Sequence, residues 1–566
     1  MAVKFGDNRV YGRLVQKLPS LATYSVNEPN LRKRKTGALR RRQELKMDRR
    51  TFLKSAAIAG IAGGASTRPA AAFVPAHNWN HYDFGSGPTI TDRLNQGPFP
   101  QYPPQAVIPS DDVVMATTRS AEIVPNFGKG LVTYISGDLG RAEIQSDNLG
   151  QAIEALASLP LGQKLYIRVP WRDVQKQPGR LDFADYWKIT FEMAARYKKR
   201  VGFRVMMSDP DISGPVLPDF LVSKVPMVKL QGEWKGNPNE VRYRKAHFQP
   251  RYDDPYFQAA YRELNGLLAA ELNGSPLVEY MDTFMYGFWG EGHTWPYTNN
   301  PFPDYATAAR TWMHMLEIQM DCWTKTPLAT NTQPDYSHVG NSALVDRTVR
   351  SANWLRTDTI FIENMQIESL SNRPPWTGAI VEVALPGHLP NQIPPRAGLS
   401  YSDNEIEHVM DVGANYWSLW NFHNISAENI LNYYHRSPHS IDRINRSIGY
   451  RVRPSFIWQY SQGSHQGLIV GFANDGIAGV PGALRVYVAS ANDRIKVGGS
   501  LDPGYPLPGK IRQAQFVLPQ GVDWKGLKLM AEIEVKGVRY PVQWACQQKL
   551  NEDGSLTLRP NLREAV

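Results

Sequence analysis

The chain has 566 residues, of which 42% are apolar and 20% charged, with a formal net charge of +10. The length favours two or three folded units, and the composition excludes a disordered or fibrous chain. Residues 1–72 hold 16 Lys or Arg and 4 Asp or Glu, a net charge of +12, which leaves −2 for the other 494 residues. Since a near-neutral body lacks the basic surface of a nucleic-acid-binding protein, we expect no nucleic-acid partner. Cys322 and Cys546 are too few for a disulfide framework or a thiolate metal cluster. The alternative is one disulfide formed after export, but because the two lie in different predicted domains we expect two free, buried thiols.

Residues 47–72, MDRRTFLKSAAIAGIAGGASTRPAAA, join the twin arginines Arg49 and Arg50 to a short apolar run and end in three alanines. This pattern resembles a bacterial twin-arginine (Tat) export signal; the alternative is a basic amphipathic N-terminus. The apolar run at 56–65 is too short for a stable membrane anchor. The sequence therefore predicts a basic upstream extension or misassigned start at 1–46, a signal at 47–72, and a periplasmic or secreted protein.

Residues 73–125 are rich in Pro, Asn, Gly and Tyr, which predicts an extended lead-in. From residue 126 short apolar runs alternate with helical patterns. Helices are predicted at 148–159, 185–200, 256–273, 305–323 and 404–413. Strands are predicted at 130–136, 164–171, 200–208, 278–289, 326–332, 358–365, 378–385 and 414–422. Eight strands alternating with helices predict a (β/α)₈ barrel over residues 126–445.

Residues 455–566 lose the helical pattern and show short alternating strands separated by Gly, Pro and Asp. This sequence pattern is typical of an antiparallel β-sandwich. Such a domain serves either as a carbohydrate-binding module or as a brace on the barrel. We favour the brace, because the sequence shows no row of exposed aromatic residues.

Two glutamates lie near the carboxyl ends of predicted strands, where such barrels place their catalytic residues. Glu291, in MYGFWGEGHTW, follows the fourth predicted strand, and Glu382, in AIVEVALPGH, lies in the seventh. Two facing carboxyl groups are what glycoside hydrolysis requires, and a retaining pair is about 5–5.5 Å apart. Aromatic surroundings are expected to raise the pKa of Glu291 and keep it protonated. The alternatives are a helix-capping loop acid at Glu291 and a structural acid at Glu382, paired with Arg168 or another barrel arginine.

Four segments carry a resemblance to a known family: YIRVPWRDVQKQPGRLDF (166–183), YGFWGEGH (286–293), VEVA (381–384) and YWSLWNF (416–422). In this order and spacing they resemble clan-A (β/α)₈ glycoside hydrolases, near the β-galactosidase-like members. The resemblance implies that Glu291 is the acid/base and Glu382 the nucleophile, that Arg168 holds the nucleophile ionised, and that Trp417 or Trp420 forms the floor beneath the sugar. Gly290 replaces the asparagine that usually precedes the acid/base. Glu363, in FIENMQ, is a rival nucleophile.

Other polar and aromatic residues near predicted strand ends are candidates for substrate contact, with core packing as the alternative for the tryptophans: Trp171, Asp209, Trp289, His293, Trp295, Asn421 and His423. His293 has no second histidine at ligand spacing and no cofactor motif is present, so we expect neither metal nor cofactor. The sequence predicts an exported, retaining glycoside hydrolase with a carbohydrate substrate. The alternatives are an inactive polysaccharide-binding protein on the same barrel and a structural cell-envelope protein.

Overall fold

The described part of the chain comprises residues 113–136, 148–212, 215–230, 247–294, 297, 299–332, 341–360, 370, 372–383, 400–418, 426–462, 464–500 and 507–559 of a computed structural model. By their contacts these residues all belong to one compact unit. The predicted upstream extension and signal, and residues 73–112 of the lead-in, lie outside these ranges. Among the described residues, no helix combines the length and apolar character that crossing a bilayer demands.

A closed barrel of eight parallel strands stands at the centre of the fold. The barrel consists of β2 (Gly130–Ser136), β3 (Lys164–Pro170), β4 (Arg200–Met206), β7 (Val278–Asp282), β8 (Leu328–Asn331), β9 (Trp354–Thr359), β10 (Ala379–Glu382) and β11 (Tyr416–Ser418). Three short strands lie outside it: β1 (Val113–Ala116) precedes the barrel, and β5 (Met227–Lys229) pairs with β6 (Phe248–Pro250). Each barrel strand pairs with the next one, and β11 closes on β2. The predicted (β/α)₈ barrel is confirmed.

Helices follow most barrel strands: α1 (Leu149–Ser158), α2 (Asp185–Arg196), α3 (Asp219–Val222), α4 (Pro255–Leu272), α5 (Tyr305–Cys322), α6 (Asn341–Arg350), α7 (Tyr401–Val412), α8 (Ala427–Arg436) and α9 (Pro438–Ser447). Their ends follow local chemistry. Asp254 caps α4 by accepting from the backbone N–H groups of residues 256 and 257, and Ser400 and Asp403 form a capping box on α7. Gly413 ends α7 in the left-handed conformation. The five predicted helices are confirmed, whereas α3, α6, α8 and α9 were not predicted.

The sixth barrel strand lies earlier than predicted. The sequence favoured 358–365, but β9 spans Trp354–Thr359 and pairs with β8 and β10. The prediction followed the apolar residues from Ile360 onward. The strand itself contains the charged residues Arg356 and Asp358, both of which are buried. The partners of Arg356 are Tyr134, Asp282 and Glu382, which lie on other strands, so no local pattern signals this strand.

The C-terminal part forms antiparallel sheets from β12 (Val452–Gln462), β13 (His465–Asn474), β14 (Ala483–Ala489), β15 (Lys496–Ser500), β16 (Ile511–Val517), β17 (Lys528–Val535), β18 (Val538–Val542) and β19 (Leu556–Thr557). One sheet has the order β1-β12-β13-β16; the other is β15-β14-β17-β18, with β19 also paired to β17. Strand β1 thus comes from the predicted lead-in. The packing of the two sheets as a sandwich stays a prediction.

The second of these sheets contacts the amino end of the barrel. The Tyr540 ring stacks on Phe127 at 3.6 Å between ring centroids. Lys536, in the turn between β17 and β18, donates to the carbonyl oxygen of Trp323 at 2.6 Å. The sheet therefore lies away from the carboxyl end of the barrel, where catalysis occurs in such folds. Cys322 and Cys546 are unpaired, as expected; Cys546 is buried and Cys322 only partly so.

Candidate active site

Glu291 and Glu382 meet at the carboxyl end of the barrel. Glu382 is the last residue of β10, and Glu291 follows a short 3₁₀ turn, Phe288–Gly290, after β7. Arg168 Nη2, from β3, lies 3.1 Å from Glu291 Oε1 and 3.1 Å from both carboxylate oxygens of Glu382. Because one nitrogen contacts both groups, their nearest oxygens can be no more than about 6.2 Å apart, twice 3.1 Å. The side chains that the sequence singled out are thus brought together.

Two further arginines join this pair. Arg204 of β4 donates to Glu291 Oε1 at 2.9 Å and to Asp282 Oδ2 at 3.0 Å. Arg356 of β9 donates to Glu382 Oε2 at 2.7 Å, and its Nε lies 3.4 Å from Asp282 Oδ2. We call the six side chains the buried charge cluster: Arg168, Arg204, Arg356, Asp282, Glu291 and Glu382. Each is 0 or 1% exposed, and the three positive charges balance the three negative ones, as buried ions require.

Two tyrosines complete the contacts of the cluster. Tyr134 OH accepts a hydrogen bond from Arg356 at 2.6 Å, and Tyr166 OH donates to the carboxylate of Asp282. Burial raises the pKa of Tyr134 well above its usual value and the pKa of Tyr166 to about 12. Both hydroxyl groups therefore stay neutral near pH 7, and the charge balance of the cluster is unchanged by them.

Glu291 does not have the raised pKa that the sequence suggested. Burial raises its pKa, but Arg168, the His293 side chain and Arg204 lower it by more, so the pKa lies well below its usual value. The expectation considered the aromatic neighbours and overlooked Arg204, which reaches Glu291 from another strand. In this arrangement Glu291 is ionised at neutral pH.

This shift makes stability depend on pH. A carboxyl group whose pKa is lower in the folded chain contributes stability above its unfolded pKa, near 4.5, and this contribution is lost as pH falls through the folded pKa. We expect the difference in unfolding free energy between the wild type and Glu291→Gln to shrink below about pH 4.5. Urea unfolding of both proteins between pH 3 and pH 7 measures this difference, and a constant difference over the range would contradict the lowered pKa.

The glycines of MYGFWGEGHTW permit the tight turn that delivers Glu291. Gly287 and Gly292 have φ values of 83° and 87°, in the region that favours glycine. Trp289 adopts φ 54°, which costs a residue with a side chain on the order of 1–3 kcal/mol. Its backbone N–H donates to the carbonyl oxygen of Ser208 at 2.9 Å, and its indole N–H donates to Asp211 at 3.0 Å. The loop after β4 therefore fixes the turn that carries Glu291.

Gly287→Ala is expected to destabilise the protein through this turn. A Cβ there would lie 2.0 Å from the carbonyl oxygen of His293, a backbone atom that cannot rotate away. Gly521→Ala is the matched control, because Gly521 has a similar φ of 77° and open space around its Cβ position. We expect Gly287→Ala to lower the unfolding free energy by about 1–3 kcal/mol more than Gly521→Ala. Equal losses by urea unfolding would show that the contact with His293 costs nothing.

Among the other predicted site residues, Trp289 and His293 lie beside Glu291. His293 is 4% exposed, and its Nε2 lies 3.7 Å from Glu291 Oε2. Its ring centroid lies 5.8 Å from that of Trp289. Asp209, buried after β4, accepts from the backbone N–H of Asp211 at 2.8 Å and so shapes the loop that holds Trp289.

Trp171 and Trp417 are core residues in the structure, which corrects their assignment to substrate contact. Trp171 is fully buried after β3, and its ring packs edge-on against Phe257 of α4. Trp417 is fully buried on β11 and packs against Tyr433 of α8. Both rings point from the barrel toward the helices, so Trp417 is not the aromatic floor. The remaining predicted site residues lie outside the described residues: Trp295, Glu363, Trp420, Asn421 and His423.

Sequence reasoning missed three members of the buried charge cluster: Arg204, Arg356 and Asp282. A signal existed for Arg204, since it sits beside Arg168 in the register of β3 and β4, and each is an arginine inside an apolar strand. Asp282 ends β7 in the same way. Arg356 was missed because its strand was placed too late in the sequence.

Three side chains could supply metal ligands: Glu291, His293 and Asp358 offer atoms that lie within 4.8 Å of one another. Arg168 and Arg204 already contact Glu291 Oε1. A cation bound here would therefore meet two guanidinium groups beside one of its ligands, and we assign no metal to this group.

No protein-family model matches the chain, and no curated protein matches it. Solved structures do resemble it. Endo-glycoceramidase II from Rhodococcus sp., in complex with a five-membered iminocyclitol, is 11% identical over 72% of this chain and 100% of its own, with a TM-score of 0.33. An exo-β-1,4-mannosidase from Opitutaceae bacterium strain TAV5 is 11% identical over 56% of this chain and 55% of its own, with a TM-score of 0.30. The GH5_18 protein of Streptomyces cattleya, in complex with GlcNAc, is 13% identical over 52% of this chain and 70% of its own, with a TM-score of 0.32.

Proposed function

We propose that this protein is a glycoside hydrolase that cleaves O-glycosidic bonds of an oligo- or polysaccharide by a retaining mechanism. Glu382 attacks the anomeric carbon while Glu291 protonates the leaving oxygen, which gives a covalent glycosyl-enzyme. Glu291 then takes a proton from the water molecule that releases the sugar and frees Glu382. The observation that carries the proposal is the contact of one guanidinium nitrogen, Arg168 Nη2, with both carboxylates.

The separation of the carboxylates supports retention over inversion. Inverting pairs leave room for a water molecule and are roughly 6.5–9.5 Å apart, whereas retaining pairs are roughly 5–5.5 Å apart. The bound of about 6.2 Å, twice the 3.1 Å contacts of Arg168, leaves the nearest oxygens of Glu291 and Glu382 too close for an inverting water. Arg168 and Arg356 both donate to Glu382, which orients its carboxylate at the end of β10.

Burial places a condition on the mechanism. Glu291 is 1% and Glu382 0% exposed, so a sugar ring contacts them only in a conformation in which both carboxylates are more accessible. Glu291 must also gain a proton before it acts as an acid, although Arg168 and Arg204 hold its pKa low. Both facts favour a second candidate, an inactive polysaccharide-binding protein in which the cluster is structural.

A panel of aryl glycosides and bacterial polysaccharides tests the choice. The proposal expects hydrolysis of at least one substrate, with the anomeric configuration of the first product retained by proton NMR. A 2-deoxy-2-fluoro glycoside of the same sugar should label Glu382, which peptide mass spectrometry locates. An inverted first product would refute retention. Binding of a glycan without any hydrolysis, unchanged in Glu291→Gln and Glu382→Gln, would establish the second candidate.

We also propose that the chain is exported through its twin-arginine segment. Support comes from Arg49 and Arg50, followed by a short apolar run and three alanines. In a bacterium with a Tat pathway, the full chain should reach the periplasm or medium, and Arg49→Lys with Arg50→Lys should retain it in the cytoplasm. Export of the double variant at the wild-type level would refute the assignment.

A further inference from the structure

The two oxygens of Glu291 have different surroundings. Oε1 contacts Arg168 at 3.1 Å and Arg204 at 2.9 Å. Oε2 faces the imidazole of His293, with 3.7 Å between Oε2 and Nε2. A proton cannot be added to Oε1 without displacing two charge-assisted donors, so the proton of a working acid has to enter and leave at Oε2.

His293 lies close to two carboxylates. Ligand atoms of Glu291, His293 and Asp358 lie within 4.8 Å of one another, and all three side chains are buried. The backbone of His293 is held in place, because its carbonyl oxygen accepts from the N–H of Phe288 at 2.9 Å. Among the described residues, the charged groups near the ring include Glu291 and Asp358, with Arg168 and Arg204 on the Oε1 side of Glu291. The ring of Trp289 lies 5.8 Å from the imidazole, measured between centroids.

We propose that His293 is a proton relay for Glu291, oriented by Asp358. This inference rests on the proposed glycosidase function. The relay starts with a proton on His293 Nε2 and an ionised Glu291. As the glycosidic C–O bond breaks, Glu291 Oε2 receives the proton from Nε2 and delivers it to the leaving oxygen, so the imidazole becomes neutral. When water attacks the glycosyl-enzyme, Glu291 takes one proton from that water and returns it to Nε2.

The relay needs only a small movement. The 3.7 Å between Nε2 and Oε2 must shorten by about half an ångström to reach hydrogen-bonding distance, and catalytic hydrogen bonds are often long before substrate binds. Histidine suits the task because its ordinary pKa lies near neutrality, where it both donates and accepts protons.

The activity of His293→Gln on two substrates with different leaving groups distinguishes the relay from a purely structural role of His293. A phenyl glycoside needs its leaving oxygen protonated, whereas a 2,4-dinitrophenyl glycoside departs without help. The relay predicts that kcat/KM for the phenyl glycoside falls tenfold or more, while kcat/KM for the dinitrophenyl glycoside stays within about threefold of the wild type, because kcat/KM reports the step in which the leaving group departs. It also predicts that the variant loses one limb of the wild-type pH profile. His439→Gln, at an exposed position on α9, is the matched control and should behave as wild type.

Each other outcome overturns the relay. Equal losses on both substrates, or an unchanged pH profile, would mean that His293 only supports the turn. If His293→Gln fails to fold, Asp358→Asn provides the second variant, and the relay predicts a smaller loss in the same direction on the phenyl glycoside alone. A wild type that hydrolyses nothing would refute the glycosidase and the relay together. An active wild type that requires Glu291 and Glu382 but shows no leaving-group split in His293→Gln would refute the relay alone.

Discussion

Glu382→Gln is expected to lower kcat/KM on the best substrate by roughly 10³-fold or more, because it removes the nucleophile and keeps its size. Glu382→Ala should lose as much, but sodium azide should restore turnover, since the small anion fits the space of the missing carboxylate. The product should then be a glycosyl azide of inverted configuration, which proton NMR identifies.

The control for this experiment is Glu279→Gln. Glu279 is a fully buried carboxylate of β7 that contacts Lys164 at 2.8 Å and accepts from Tyr416 OH at 2.7 Å, away from the charge cluster. This variant shows how much stability is lost when a buried carboxylate of the barrel that is not a candidate catalytic group is removed. We expect it to lower thermal stability while the folded protein keeps wild-type activity and shows no response to azide. Equal activity losses in the Glu279 and Glu382 variants, both unaffected by azide, would contradict the assigned nucleophile.

Arg356→Met is expected to destabilise the protein by about 3–5 kcal/mol, the typical result of removing one partner from a buried ion pair. The change leaves Glu382 with Arg168 alone and removes a contact of Asp282, so the cluster keeps an uncompensated negative charge where water cannot solvate it. The stacking of Arg356 over the Tyr166 ring, at 5.0 Å, is lost as well. Urea unfolding at pH 7 measures the loss.

Arg350→Met is the matched control for Arg356→Met. Arg350, only six residues earlier, pairs with Asp346 at 2.9 Å on exposed α6, and such surface pairs contribute 0–1 kcal/mol. The double variant Arg356→Met, Glu382→Gln should recover part of the loss because it restores charge balance. Similar losses for Arg356→Met and Arg350→Met would show that the cluster is well solvated despite its burial.

The barrel was predictable because its apolar strands and amphipathic helices alternate in sequence. So was the contact of Arg168 with Glu382, since both residues interrupt apolar strands and the family resemblance implied their pairing. The lowered pKa of Glu291 was not predictable from the aromatic residues beside it in sequence, because Arg168 and Arg204 lie on other strands and, together with His293, outweigh the effect of burial.

The direction in which a buried aromatic ring points also cannot be predicted from the residues beside it in sequence. Trp171 and Trp417 occupy strand ends, as sugar-stacking residues do, but the positions of α4 and α8 turn them outward. Asp358 was overlooked for a similar reason: the predicted strand began at this residue, which put it at the amino end, whereas it lies near the carboxyl end of β9. In each case the deciding partner is distant in sequence.

The pairing of β1 with β12 has a consequence for how the protein is made. Val113 pairs with Trp458 and Ala116 with Phe456, so a sheet otherwise built from residues 452–517 receives its edge strand from a segment synthesised more than 300 residues earlier. This sheet cannot be completed until the ribosome has made nearly the whole chain, and contacts between such distant segments form slowly. While synthesis continues, the segment at 113–116 is an unpaired strand that is open to wrong partners. A chaperone that shields this segment during translation would therefore increase the yield of folded protein.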